Sequence, residues 1–185
     1  MAFRDTTMLW KIAFCIQLIG FILALIGFGI NYLATASWGQ KSANGGLWKY
    51  CYNGDCLDTS DLLTYNKYSV VWLDTSKGMM SISLAAEFAT IGLTTLAFLS
   101  TPTKLIGLCT AAVSGISVVF GVIGVAVGAG ESKRVLNDIG KTQMFDVGAS
   151  FYLFMVAQGV FLLAAACHGI DSRSRSRQEP NPSVT

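Results

Sequence analysis

The sequence predicts a helical membrane protein with four spans and one folded loop outside the bilayer, and three observations predict it. Only 13% of its 185 residues are charged and 52% are hydrophobic, against roughly 25% charged in an average soluble domain. Four apolar runs, at 12–36, 78–100, 105–130 and 147–169, carry that excess. Each is about 23–26 residues, enough at ~1.5 Å per residue to cross a hydrocarbon core of ~30 Å with some tilt. None alternates apolar and polar residues as a barrel strand does, so helices are the way to satisfy the backbone in lipid.

The first run, 12–36, has no charge and ends in Ala34-Thr35-Ala36, a small-residue pattern like a signal-peptidase site. A signal core is about 7–15 residues, shorter than this run, so the span is expected to be retained. Asn31 and Tyr32 suit its interfacial exit.

The loop 37–77 is dense in aromatic residues: Trp38, Trp48, Tyr50, Tyr52, Tyr65, Tyr68 and Trp72. Strand-like stretches at 47–52 and 68–73 mark it as a folded cap. Cys51 and Cys56 flank Tyr52-Asn53-Gly54-Asp55, and Asn-Gly is the strongest short hairpin signal, because a type I′ turn needs positive φ at both central positions. That turn pairs Tyr52 with Asp55 and Cys51 with Cys56 across the strands, placing the two thiols within disulfide range. Cys15, Cys109 and Cys167 fall within spans, where a thiol behaves as a small apolar group. Asp55, Asp58 and Asp61 form an acidic patch beside the turn, countered by Lys41, Lys49, Lys67 and Lys77. Their ordinary reading is solvated carboxylates.

In the second span, 78–100, Glu87 stands near mid-membrane, where an acid costs ~2.5–3.5 kcal/mol on insertion scales. Depth counting puts Gln158 of the fourth span, and Ser114 and Ser117 of the third, at a similar level. The expectation is a polar layer in which a protonated Glu87 hydrogen-bonds Gln158. In the third span, 105–130, Gly124 and Gly128 form a G-x-x-x-G step and Ala111 and Gly115 a related one. Small residues let helices approach closely in lipid, here within the bundle. A second loop, 131–146, leads to the fourth span, 147–169, and a tail, 170–185. Cys167 is a palmitoylation candidate at that membrane face, and the Arg-Ser run 172–177 is suited to anionic lipid.

An even number of spans puts both termini on one side. The termini and the 101–104 link carry six basic residues against three acids, and the other two loops carry seven against seven over about twice the length. Basic density makes the termini cytoplasmic. It leaves the Cys51/Cys56 loop outside, where disulfides persist. Thirteen basic and eleven acidic residues give +2 with no concentrated basic face, which argues against a nucleic-acid partner. His168 has no evident catalytic partners and no Cys/His cluster has metal spacing, so neither an enzyme nor a cofactor is expected. Four spans without paired broken helices do not suit alternating access.

Trp38, then Gly46-Leu47-Trp48, then Cys51 and Cys56 resemble the W-GLW-C-C signature of the claudin, peripheral myelin protein and epithelial membrane protein superfamily, in a chain with the same order of spans and loops. The resemblance implies a left-handed four-helix bundle topped by an extracellular antiparallel sheet, with the tryptophans wedging sheet against bundle. Lys77 stands where claudins typically have an arginine. By the same resemblance Asp55, Asp58 and Asp61 would serve ion selectivity or recognition along a paracellular path. The implied function is adhesion or a paracellular barrier at plasma-membrane cell junctions, with membrane lipid and other tetraspan copies as partners. The alternative is an auxiliary, gamma-like subunit modulating an ion channel or receptor.

Overall fold

The protein is described from a computed structural model covering residues 7–30, 32–38, 41–99, 104–140 and 146–178. In chain order its elements are α1 (Met8–Gly29), β1 (Ala34–Trp38), β2 (Lys41–Gly45), β3 (Lys49–Tyr52), β4 (Asp55–Asp58), α2 (Thr59–Tyr65), α3 (Val71–Leu99), α4 (Lys104–Gly140), β5 (Asp146–Val147) and α5 (Ala149–Gln178). The helices α1, α3, α4 and α5 are each long and apolar enough to cross a membrane. They close a ring in which α1 packs on α3, α3 on α4, α4 on α5 and α5 back on α1.

The buried residues explain the ring. On α1 they are Trp10, Ala13, Gln17, Gly20, Ala24 and Gly27. On α3 they are Leu73, Ser76, Met80, Ser83, Glu87, Thr90, Thr94 and Ala97. Steps of three and four alternate along both, a 3.5-residue period that keeps one seam facing its partners along the whole helix. Outside that seam, large residues such as Ile19, Ile22, Phe88 and Leu163 are exposed, as lipid contact requires. Most of that seam is small or polar, so association rests largely on close packing and internal hydrogen bonds.

All four spans differ in length from the apolar runs, because hydrophobicity alone does not separate helix from buried strand or mark where a helix leaves lipid. The first helix stops at Gly29, and 34–36 belong to β1, whose Ala34 is fully buried with Ala43 and Leu136. The small triplet that resembles a cleavage site therefore packs inside the sheet. The second span, α3, starts at Val71, seven residues before the apolar run, and absorbs half of the expected 68–73 strand. Leu73 and Ser76 continue the buried face of the same helix, so helix satisfies the seam where strand would not. The third span, α4, runs ten residues past 130 to Gly140. Its 37 residues span about 55 Å, and the excess over ~30 Å of hydrocarbon puts Ser132, Val135 and Leu136 against the cap. The last helix starts at Ala149, leaves Val147 to β5, and continues through the Arg-Ser run to Gln178.

The cap is a five-stranded sheet in the order β4-β3-β2-β1-β5, antiparallel throughout. β5 ties the second loop to the first by pairing Ala34 with Val147 and Thr35 with Asp146. The N–H of Gly148 donates to the Leu33 carbonyl at 2.8 Å. A Cβ at Gly148 would collide with the Tyr32 backbone carbonyl, so this crossing requires glycine.

Candidate functional site

Two sets of residues carry chemistry beyond packing, one in the cap and one inside the bundle. In the cap, Asn53 (φ 54°) and Gly54 (φ 101°) both take positive φ, the pair a type I′ turn needs. Tyr52 faces Asp55 and Cys51 faces Cys56 across the ladder, and the two cysteines form a disulfide. The Tyr50 phenol, half-buried on β3, is raised above its usual value by burial, and Tyr52 adds to the shift.

The Gly46-Leu47-Trp48 segment is the joint between sheet and bundle. Leu47 is buried in the core with Leu33, Leu63, Leu73 and Met80. Gly46 donates its N–H to the Lys49 carbonyl at 2.9 Å and accepts from the Thr59 hydroxyl at 2.9 Å. Trp48 Nε1 donates to the Phe28 carbonyl in the last turn of α1 at 3.0 Å, and its ring meets Phe28 edge-on at 5.3 Å. Lys77 Nζ lies 4.8 Å from the centre of the same ring, a cation–π contact. The backbone of Trp38 lies in β1, and its side chain is outside the described residues.

The acidic residues do not gather on one surface. Asp55 and Asp58 are three apart on β4, and side chains alternate along a strand, so they leave opposite faces of the sheet. Asp58 stands opposite Lys49, a cross-strand pair of opposite charge. Asp61 is separate, in the first turn of α2, where an acid favours the helix dipole. The expected patch is thus dispersed by strand geometry.

The exposed cap surface carries Leu57 on β4 and Tyr65 at the end of α2, 60% and 87% exposed. α2 ends with Lys67 in the left-handed region (φ 59°). Its N–H bonds the Thr64 carbonyl and the Tyr68 N–H bonds that of Leu63, a Schellman closure that turns the chain into α3. Beside it opens a cleft of about 190 Å³ lined by Tyr68, Trp72, Glu131, Arg134 and Asp138.

Inside the bundle, Glu87 is fully buried and Gln158 Nε2 donates to its Oε1 at 2.9 Å. The hydroxyls of Ser117 and Ser83 approach the same oxygen at 3.3 and 3.4 Å. Ser83 also donates to the Ser117 carbonyl at 2.9 Å, and Glu87 makes no ion pair among the described residues. Ser114 is buried one turn away, without a hydrogen-bond partner among the described residues. Gly121 makes the layer possible, since a Cβ there would lie 2.5 Å from Gln158 Cδ and 2.7 Å from Ser83 Oγ. The step Gly124 and Gly128 faces Met80 and Ser76 of α3, inside the bundle, whereas a Cβ at Gly115 would meet no other element within 4 Å among the described residues.

Sequence reading missed Gly121, although it falls four residues after Ser117 on the same face. It also missed Gln17, whose Oε1 accepts from Thr94 at 3.0 Å, and the pairing of Trp10 with His168, ring centres 4.3 Å apart. Their alternating three-and-four spacing was the available signal. Cys15 and Cys109 are exposed on the lipid side, and Cys167 is a half-buried free thiol beside His168. No family model matches this sequence, and no curated protein does.

Proposed function

We propose that this chain is a claudin-like plasma-membrane protein of cell–cell contacts, with cytoplasmic termini and a left-handed bundle, acting in adhesion or a paracellular barrier through its first extracellular loop. The observation that carries the reading is the joint at Trp48. It fixes a disulfide-closed sheet rigidly on the helix ends, so the cap presents a defined surface and not a flexible loop. Leu57 and Tyr65 on that surface are apolar groups placed to be covered by another cap. The partners are further copies of this chain or other tetraspan proteins. Asp55, Asp58 and Asp61 contribute to recognition individually, since they do not line one face.

Expression in adherent cells tests this. Enrichment at contacts only where both neighbours express the chain supports adhesion. A diffuse surface distribution that follows a co-purifying channel favours an auxiliary-subunit role.

A further inference from the structure

Two seams of the helix ring close on small residues, α3 against α4 at Ser76, Ser83 and Gly124, and α1 against α5 at Gly20 and Gly27. The seam between α1 and α3 is built differently. These two helices touch far less than the other three neighbouring pairs: a hydrogen bond from Thr94 to Gln17 joins them on the inner side, and aromatic rings line the outer side. Phe14 meets Phe98 at 5.1 Å, Phe21 meets Phe88 at 6.2 Å, and Phe28 meets Trp48 at 5.3 Å between ring centres. Phe14, Phe21 and Phe28 recur every seven residues, which keeps them on one helix face. Phe88 is 67% and Trp48 40% exposed, so the row opens outward along the bilayer.

The row ends at a charge. Lys77 Nζ sits over Trp48 and makes no salt bridge among the described residues. Its depth follows from Trp48, which is hydrogen-bonded to the last turn of α1. The 22 residues of α1 span about 33 Å, the thickness of the hydrocarbon core, so Lys77 lies at the level of lipid headgroups.

We propose that the α1–α3 seam binds one phospholipid of the sheet-side leaflet, its phosphodiester on Lys77 and one acyl chain laid along Phe28, Phe21 and Phe88. Charge complementarity selects this occupant. A phospholipid joins an anionic group to a long apolar chain at the spacing of a cation above an aromatic row. A partner helix would instead need small residues for close approach, and this seam offers bulky ones. Trp48 serves both ends, holding the ammonium over its ring face and giving its edge to the chain below.

The test is native mass spectrometry of the full chain, reconstituted in phosphatidylcholine vesicles with a minor share of phosphatidylglycerol and then extracted in mild detergent. A species retaining one phospholipid is expected. Lys77→Gln should lower that species about fivefold, the worth of one basic residue near a lipid surface, and Lys77→Arg should keep it. Phe88→Ala, at a mostly exposed position that the fold does not need, should lower it as well. Lys133→Gln, whose residue pairs with Asp146 away from the seam, should change nothing. Equal retention in folded Lys77→Gln and Phe88→Ala chains would overturn the proposal, as would a wild-type chain that keeps no lipid or carries a second copy of itself in its place.

Discussion

Gln158 and Glu87 are hydrogen-bonded at 2.9 Å across the centre of the helix ring. Their helices, α5 and α3, are not neighbours in that ring. The bond therefore runs along a diagonal, and the ring cannot slip or open on either side without breaking it. Ser117 ties the same carboxyl to α4 and Ser83 braces it from its own helix, so three of the four membrane helices meet at one oxygen.

Glu87→Gln keeps a planar polar group of the same size at that point and should leave expression and thermal stability nearly unchanged. Glu87→Ala strands the Gln158 amide in the core and should cost about 1–3 kcal/mol. Melting of the detergent-solubilised chain followed by circular dichroism separates the two. Severe misfolding of Glu87→Gln would mean that the charge itself is required.

Glycines on α4 should divide by face. Gly121→Ala drives a methyl into Gln158 and Ser83, and overpacking of that kind costs about 1–3 kcal/mol. Gly115→Ala, whose methyl would meet no other element within 4 Å among the described residues, should be neutral or slightly stabilising, since alanine favours helix. The difference in melting temperature between the two variants is the readout.

Trp48→Phe removes the bond to the Phe28 carbonyl and weakens the Lys77 contact. A lost hydrogen bond of about 1 kcal/mol and a cation–π contact of about 0.5–1 kcal/mol should loosen the cap while the helices stay intact. Faster proteolysis within 41–77, at unchanged far-ultraviolet helicity, would show it. Replacing both Cys51 and Cys56 by serine should act on the cap in the same direction, by about 2 kcal/mol for so short a loop.

The Tyr50 phenol is raised by burial, so the folded cap disfavours tyrosinate. Its contribution to stability is fully present below pH ~10, the unfolded value, and is lost as pH rises through the folded one. Cap stability should thus fall more steeply above pH ~10 in the wild type than in Tyr50→Phe, as followed by proteolysis at increasing pH.

The hairpin was legible residue by residue, because Asn53-Gly54 dictates a local turn and the turn dictates the Cys51 to Cys56 register. Glu87 and Gln158 were legible from depth counting, since the cost of an acid in lipid demands a partner. Helix ends were not, because α4 passes out of the membrane on the strength of Ser132, Val135 and Leu136 packing under the sheet. The acidic patch failed for a related reason. Nearness in sequence could not reveal that β4 alternates its faces between Asp55 and Asp58. The aromatic seam was invisible because its pairs, such as Phe14 with Phe98, are distant in the chain.

Recognition by the cap is tested most directly in mixed culture, with cells expressing the wild-type chain facing cells that express a Leu57→Asp, Tyr65→Ser variant. Both positions are exposed, so the variant should reach the surface with its disulfide intact. Wild type should accumulate at contacts with wild-type neighbours and not at contacts with variant neighbours. Equal accumulation at both kinds of contact, or none at either, would contradict recognition through the cap.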